Sequence, residues 1–358
     1  MLPEPPGAPA ESTGQWAKVI SEHGLVSNRS DVKRVLVSLV TYNGERWLPG
    51  CLASLRAQTL TDYELRVLDN ASDDGTWDLI TEFTASEPRS TARRSERNLG
   101  FGAAHNQNMA AATSPFVLLL NQDVELDPHF LARAISTLEA RTNVAAVQGL
   151  LLVLARPGER TNTIDTTGLV MGRSRRAVAR RQAEELVKRD LVPGPVWGVD
   201  GPAPVYRTAA LHAVSPVVTV EPSAPWRREV FDETFFMYKE DVDLAWRLRG
   251  SGHAAWYEPS AVAWHARSSG ASAGTTLFGA VRRNQKMPDW IRAMSWRNHR
   301  LMMIKNERAK DVLRDLPWIA ARELASLAYM VTFDRGRLRA IAEAVRLGPA
   351  ILAKRQRP

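Results

Sequence analysis

The stretch FVLLLNQDVELDP, residues 116–128, decides how this chain reads. Five apolar residues, Phe116 to Leu120, run directly into Asp123, Glu125 and Asp127. A buried strand that pushes carboxylates out of its end has two physical explanations. In the first the acids form a solvated turn, with Asp127 capping a helix that Pro128 opens. In the second a carboxylate is presented to a divalent cation, which takes hard oxygen ligands and shares them with phosphates and water. Capping is the better account of Asp127. Metal binding is the better account of Asp123, which has Asn121 two positions before it and Glu125 two after, because other strand ends agree.

Those ends lie upstream. RVLVSLV (34–40) is a β-branched run that leads into Tyr42 and Asn43, and YELRVLDN (63–70) ends in Asp69 and Asn70. Helical patterns separate the strands: RWLPGCLASLRAQ, WDLITEFT, GAAHNQNMAAAT and, after Asp127, HFLARAISTLEA. Strands alternating with helices predict an α/β fold with a mostly parallel, doubly wound sheet, and ligands on such sheets sit at the carboxyl ends of strands. Asp69 falls where an acceptor oxygen would hold a nucleotide; a turn residue is the equal alternative, and Asp73, Asp74 and Gly75 belong to the turn.

The rest of the chain divides by composition. Residues 1–30 form a Pro-, Gly- and Ala-rich leader, and 31–145 the nucleotide-binding half. Residues 146–270 form a second half on the same sheet, in which strand-like pieces surround a basic insertion, GRSRRAVARRQAEELVKRD (172–190), expected to be mostly helical and to help shape an acceptor site. Residues 271–358 read as a basic helical region. Hydrophobic residues at 44% and charged residues at 24% are ordinary for a globular protein. A single cysteine, Cys51, excludes a disulfide framework and fits the reducing cytoplasm. The opening MLPEPPGAPAESTGQW lacks the basic and apolar regions of a signal peptide.

The net charge of +8 is concentrated. From Trp296 onward there are 14 Lys/Arg against 6 Asp/Glu, which accounts for all of it. Charge confined to a tail points to an anionic surface acting there and away from nucleic acid. Within the tail, LPWIAARELASLAYMVTF (316–333) carries Arg322 and Glu323 near its middle, so it suits a helix lying in a membrane interface better than one crossing it. A helix packed on the catalytic region or on a second subunit of a homo-oligomer is the competing expectation.

Two further clusters carry chemistry. FDETFFMYKEDVDLAWRLR (231–249) sets Glu240, Asp241 and Asp243 at a helix start, more acids than the helix dipole calls for. One of them could serve as general base for a hydroxyl nucleophile. AVAWHARSSG (261–270) ends a strand at His265, ahead of Arg267, Ser268 and Ser269, which suit a phosphate. NLGFG (98–102) has neither the dinucleotide spacing nor the P-loop lysine, which counts against dehydrogenases and P-loop NTPases. No Gly-rich, basic pyrophosphorylase signature opens the chain.

Taken in order, VSLVTYNGERWLPGCLASLRAQ, LRVLDNASDDGT, RNLGFGAAHNQN, LLLNQDVELDP, FDETFFMYKEDVDLAWRLRGSGH, YEPSAVAWH and WRNHRLMMIKN resemble glycosyltransferase family 2, in its rhamnosyltransferase-like branch, from about 34 to 306. The resemblance implies a GT-A (Rossmann-like) nucleotide-sugar-binding fold and inverting transfer from a nucleotide-activated sugar, with Mg2+ or Mn2+ as cofactor. It implies that Thr41, Tyr42, Asn43, Asp69, Arg97, Asn98, Asn121, Gln122 and Asp123 line the nucleotide-sugar site. Asn121 and Asp123 take the Asp-x-Asp position, with Asp123 the main metal ligand and His265 a metal or diphosphate contact. Asp241 takes the place of the catalytic base, supported by Glu240, and Trp197, Asp200 and Gly201 are candidates for the acceptor wall. Gln122 stands where this branch often has proline, and Asn108 where it often has glycine. The expected reaction moves a hexose, L-rhamnose from a dTDP donor being the first choice, onto a glycan or lipid-linked acceptor at the inner face of the membrane, in synthesis of bacterial surface polysaccharide. A UDP- or GDP-sugar donor is the alternative within the class, and a non-catalytic nucleotide-sugar-binding scaffold the alternative outside it; Asp69, Asp123 and Asp241 all being present favours the enzyme.

Overall fold

A computed structural model of the chain describes residues 32–218, 227–267 and 288–355. The leader 1–30, Ser268, Ser269 and the start of the C-terminal region lie outside these. Strands β1 (Val35–Thr41), β2 (Tyr63–Asp69), β3 (Ser90–Arg94) and β4 (Phe116–Asn121) alternate with helices α1 (Leu48–Arg56), α2 (Thr76–Ser86) and α3 (Phe101–Asn108). Then follow β5 (Val124–Leu126), α4 (Phe130–Ala140), β6 (Val144–Arg156), β7 (Glu159–Thr166), β8 (Leu169–Met171), β9 (Ala177–Ala179), β10 (Gly194–Val196), β11 (Val205–Arg207) and α5 (Thr208–Ala213). A two-residue pairing, β12 (Val217–Val218) with β13 (Arg227–Arg228), precedes α6 (Glu240–Gly250) and β14 (Ala254–His265). Three helices end the chain: α7 (Asp289–Asn306), α8 (Ala309–Phe333) and α9 (Arg339–Ala353).

One sheet runs in the order β10-β14-β6-β11-β4-β1-β2-β3, with β5 added to β14 and β7 to β6. The β3-β2-β1-β4 block is parallel throughout, and β14 runs parallel to β6, while β11 joins β4 and β6 antiparallel. Both faces are covered, which is why β1 and β4 are mostly apolar, with the buried Ser38 as the polar exception inside β1. Val35, Val37 and Leu39 of β1 and Phe116, Leu118 and Leu120 of β4 point to one side, where Leu48, Leu55, Phe130 and Ile135 of the helices meet them. The alternating residues Leu36, Val117 and Leu119 point to the other, against Tyr206, Phe231, Leu244 and Leu248. Each such side chain taken out of water contributes about 1.5–3 kcal/mol.

Register then fixes the site. Thr41 pairs with Asp69 across β1 and β2, and Val40 with Asn121 across β1 and β4, so the three polar strand ends stand side by side. The mostly parallel α/β sheet and the C-terminal helices agree with the expected architecture.

The basic insertion does not. Residues 172–190 are not helical; Met171 and Ala177 close a hairpin of β8 on β9, and a single 3-10 turn spans Lys188–Leu191. The physical reason is in the backbone. Arg175, Arg181 and Ala183 all hold positive φ (62°, 64° and 64°), a conformation that no right-handed helix accommodates. Arginine and alanine favour helices in isolation, but the ion pairs of Arg175 with Glu307 and Asp315 and of Arg181 with Asp190 override that preference. The pieces AAWYEP and AVAWHA likewise are one strand, β14, interrupted by an irregularity between Glu258 and Val262 that contains Pro259.

Candidate functional site

The donor side is built by side chains that tie the strand ends together. Asp69 is fully buried. Its Oδ1 accepts from the hydroxyls of Thr41 (3.1 Å) and Ser72 and its Oδ2 from the Ser72 amide (3.3 Å), and the Arg94 Nε lies 3.1 Å from Oδ2 as an ion pair. A carboxylate offers about four lone-pair positions, so Asp69 is largely engaged by its own chain. Asn43, at φ 49°, accepts from the Asp73 amide through Oδ1 and donates its own amide to Ser72. Gln122 makes a reciprocal pair with the backbone of Tyr42, accepting at 2.8 Å and donating at 2.9 Å, and leaves the Tyr42 ring exposed. A Cβ on Gly44 would come within 2.2 Å of the Gln122 Oε1, so this close approach depends on glycine.

Asn98 is held by Asn70, whose amide nitrogen donates to the Asn98 Oδ1 at 2.9 Å. Arg97, expected to close the nucleotide site, has its side chain in solvent; the arginine on Asp69 is Arg94. Beside it an open cleft of about 500 Å³ is lined by Ala71, Ser72, Arg94, Ser95 and Glu96. Asn108 occupies the position of the branch's glycine and uses it: its side chain donates to the carbonyls of Leu39 and Arg66, bracing β1 and β2.

At the end of β4, Asp123 is buried and its Oδ1 lies 3.4 Å from the His265 Nε2. Strand β5 pairs with β14 at Val124 and His265, and the Asp123 carbonyl accepts from the Ala266 amide, which sets this spacing. The other ring nitrogen of His265 lies 2.9 Å from Asp165. Asp165 also pairs with Arg267, whose Nη2 reaches Asp200 at 3.4 Å. Burial alone would lower the His265 pKa; the carboxylates of Asp123 and Asp165 outweigh it and hold the imidazole up at about 10. Asn121 ends β4 beside them. Glu125 faces elsewhere: it pairs with Arg160 (3.1 Å) and accepts from the Gly158 amide, fastening the β6–β7 turn. Asp127 accepts from the His129 amide at 3.0 Å, the cap of the turn that opens α4.

The same chain of ion pairs leads to the acids of α6. Asp200 and Gly201 lie on the loop before β11, and a Cβ on Gly201 would sit 3.8 Å from the Asp241 Oδ2. Three acids begin α6, and the structure separates them. Asp243 is fully buried and accepts from Arg247 (2.9 Å), Lys305 (3.0 Å) and Asn306 (2.8 Å), so it is a structural anchor. Glu240 and Asp241 have no such cation among the described residues, and the Glu240 Oε2 is buried without a partner. Burial pushes both pKa values up, reinforced by Asp241 for Glu240 and by Asp200 for Asp241. Trp197 packs edge-on against Trp246 with ring centroids 6.1 Å apart and is partly exposed.

The loop that delivers Asp241 is strained. Phe236, Tyr238 and Lys239 hold φ of 61°, 67° and 78°, conformations that cost about 1–3 kcal/mol each and persist only when surroundings impose them. Asn298, on α7 and fully buried, imposes them. Its amide nitrogen donates to the carbonyls of Phe235 (2.7 Å), Met237 (2.8 Å) and Tyr238 (3.0 Å). From the donor side the Phe101 amide donates to the Phe236 carbonyl at 2.7 Å. Gly100 makes room for it, since a Cβ there would lie 2.4 Å from that oxygen. Sequence reasoning missed Arg94, Asp165 and Asn298. The WRNHR motif held a signal for Asn298; Arg94 ends a polar edge strand and Asp165 follows one apolar residue, so neither stood out.

The two carboxylate-bearing ends of this site fit different groups. The Asp123 Oδ1 and His265 Nε2 stand 3.4 Å apart, and a divalent cation shared between them would have to displace the proton that the two carboxylates favour on the imidazole, with Asp165 orienting the ring. Among the described residues no third acidic, histidine or cysteine side chain completes a protein-only cage. The remaining positions are therefore open to phosphate oxygens and water, the usual arrangement for Mg2+.

Comparison with known proteins bears on the family and the fold. Residues 37–187 match the sequence model of glycosyl transferase family 2. An uncharacterised glycosyltransferase of Nostoc sp. is 30% identical over 34% of this chain and 37% of its own length, so the chain spans about a third of that relative. The N-acetylglucosaminyl-diphospho-decaprenol L-rhamnosyltransferase of Mycobacterium tuberculosis is 28% identical over 64% of this chain and 75% of its own. The solved structure of GalNAc-T7 with UDP, GalNAc and Mn2+ superposes with a TM-score of 0.51 at 13% identity, over 84% of this chain and 58% of that one, a likeness of fold alone. Over residues 37–187 the chain is thus similar to glycosyl transferase family 2, and its fold is the GT-A fold.

Proposed function

We propose that the chain is an inverting, divalent-metal-dependent glycosyltransferase. It moves a sugar from a nucleoside-diphosphate donor to a hydroxyl of a glycan or lipid-linked acceptor, in the cytoplasm at the inner face of the membrane. The observation that carries this reading is Asp241: a carboxylate at a helix start, without a pairing cation among the described residues, raised in basicity and facing Gly201.

In this reading Thr41, Tyr42, Asn43, Asp69, Asn98, Asn121, Gln122 and Asp123 surround the nucleotide sugar. Asp69 shapes the pocket, since its lone pairs are largely engaged, and Arg94 takes the place expected of Arg97. Asp123 and His265 would hold Mg2+ or Mn2+, which when bound supplies positive charge to the departing diphosphate. Trp197, Asp200 and Gly201 form the acceptor wall. Asp241 accepts the proton of the acceptor hydroxyl as its oxygen bonds to the anomeric carbon. The bond to the diphosphate breaks on the opposite face and takes its electron pair with it. Burial and the neighbouring Asp200 keep that carboxylate basic, and Glu240 is buried beside it.

L-Rhamnose from a dTDP donor is the first donor to test, supported by the mycobacterial relative; UDP- and GDP-sugars come next. Thermal unfolding of the chain against a panel of nucleotide sugars, each with Mg2+ or Mn2+, tests the reading. One donor at about 100 times its Kd stabilises the fold by about 2.7 kcal/mol, and only with the metal. A panel in which no nucleotide sugar raises the Tm with either metal overturns it.

A further inference from the structure

The C-terminal helices carry a surface that the transfer reaction does not use. Helix α8 turns Leu313, Leu316, Leu324, Leu327, Val331 and Phe333 outward, with Leu313 72%, Leu324 68% and Phe333 79% exposed. Leu313, Leu316, Leu324, Leu327 and Val331 fall within about 80° of one another around the helix, so they form one stripe along it, while Phe333 at its end projects to the other side. Its opposite side is fastened to α7. Arg300 donates to Glu323 at 3.0 Å, the Trp296 indole to Ser326 at 2.8 Å, and Arg322 to His299.

The exposed charges of the C-terminal helices are of one sign. Between residues 309 and 355 every exposed charged side chain is a cation: Lys310, Arg314, Arg335, Arg339, Arg346 and Arg355. All five acids of that stretch are taken up in ion pairs: Asp311 with Arg314, Asp315 with Arg175, Glu323 with Arg300, Asp334 with Arg337 and Glu343 with Arg297. The β8–β9 hairpin packs on the start of α8. Arg173 lies 3.4 Å over the Trp318 ring and pairs with Asp315 at 2.8 Å, and Val170 and Val178, cross-strand partners, are both exposed. The hairpin's other side packs with Trp197 and Trp246, next to the acceptor wall.

We propose that this apolar, cation-rimmed surface of α8 and the β8–β9 hairpin seats the protein on the anionic headgroup surface of a lipid bilayer. Apolar side chains enter the headgroup boundary while the arginines meet lipid phosphates, a combination that gives interfacial binding. A second copy of the same face would set cations against cations, which disfavours self-association through it. Among the described residues no helix is long and apolar enough to cross a membrane, so the contact is one of lying on the surface. The hairpin links that surface to Trp197, so a lipid-linked acceptor would enter the site from the side on which the protein sits. This last step rests on the proposed transfer; the lipid contact itself does not.

The test is co-sedimentation of the full chain with vesicles of phosphatidylcholine alone or with phosphatidylglycerol added, at low and high salt. Leu324→Glu/Leu327→Glu, exposed and outside the site, is compared at equal Tm. The bound fraction is expected to rise about tenfold with the anionic lipid, to fall in high salt, and to drop about tenfold in the variant. Equal binding to both vesicle types, no binding at low salt, or unchanged binding by the variant overturns the proposal. So does light scattering that shows a dimer dissociated by the variant, which would make the face a contact between copies. Donor-induced shifts in Tm are read separately, so loss of donor binding with vesicle binding intact fails the transfer reading alone.

Discussion

The two halves of the site are made in opposite ways. The donor side comes from consecutive strand ends within about eighty residues, joined by hydrogen bonds of Thr41, Asn43, Asn70, Ser72, Asn98 and Gln122, several of them gathered on the Asp69 carboxylate with its Arg94 ion pair. The catalytic side gathers Asp165, Asp200, Asp241, His265 and Asn298 from segments far apart in sequence, and ion pairs hold it: Asp165 with Arg267, Asp232 and Asp243 with Lys305. The difference teaches where each kind of damage will appear. Small changes on the donor side should alter affinity for the nucleotide, because the scaffold is local and redundant. Changes on the catalytic side should alter turnover and stability together, because the carboxylate is placed by a strained loop that a distant helix restrains.

The largest effect expected is at the junction of the halves. Asp123→Ala removes the better metal ligand and is expected to lower transfer by about 10²–10³-fold, the scale on which lost stabilisation of transition-state charge is felt. Titration with Mn2+ should show the metal response lost as well, and an unchanged metal response would break the assignment. Next comes Asn298→Ala, which removes a side-chain donor from three carbonyls of the strained loop, Phe235 keeping the Met237 amide. It is expected to cost about 3 kcal/mol in urea unfolding and to lower kcat about tenfold while donor Kd stays within about twofold. A variant with wild-type turnover would show that Asn298 does not position Asp241. Smallest is the comparison of two arginines. Arg94→Ala is expected to weaken donor binding about tenfold by releasing the loop around Asp69, whereas Arg97→Ala changes it by less than about twofold. The reverse ranking in a donor titration would restore the expectation drawn from the sequence.

The same contrast explains what the sequence disclosed. Apolar runs ending in Tyr42-Asn43, Asp69-Asn70 and Asn121-Asp123 are local patterns, so the parallel sheet and the alignment of its polar strand ends were legible. Residues 172–190 were misjudged because arginine and alanine have helical propensity, and the acids that bend the segment back, Glu307 and Asp315, lie more than a hundred residues away. Strand β3 was invisible for another reason: STARR at a sheet edge needs no apolar face. At α6 the sequence showed three acids but not which was free. Only the positions of Lys305, Asn306 and Arg247 reveal that Asp243 is committed to structure and Asp241 is not.

The central claim is that Asp241 is the base, and the pH dependence of kcat/KM tests it most directly. A base must be unprotonated to act, and burial together with Asp200 raises the Asp241 pKa above that of an ordinary aspartate. The wild-type profile should therefore fall on the acid side through a limb displaced upward from about pH 4. In Asp241→Asn that limb should vanish, with transfer about 10²–10⁴-fold lower and donor Kd unchanged. Transfer at the wild-type rate in Asp241→Asn, with the acid limb still in place, would contradict the account.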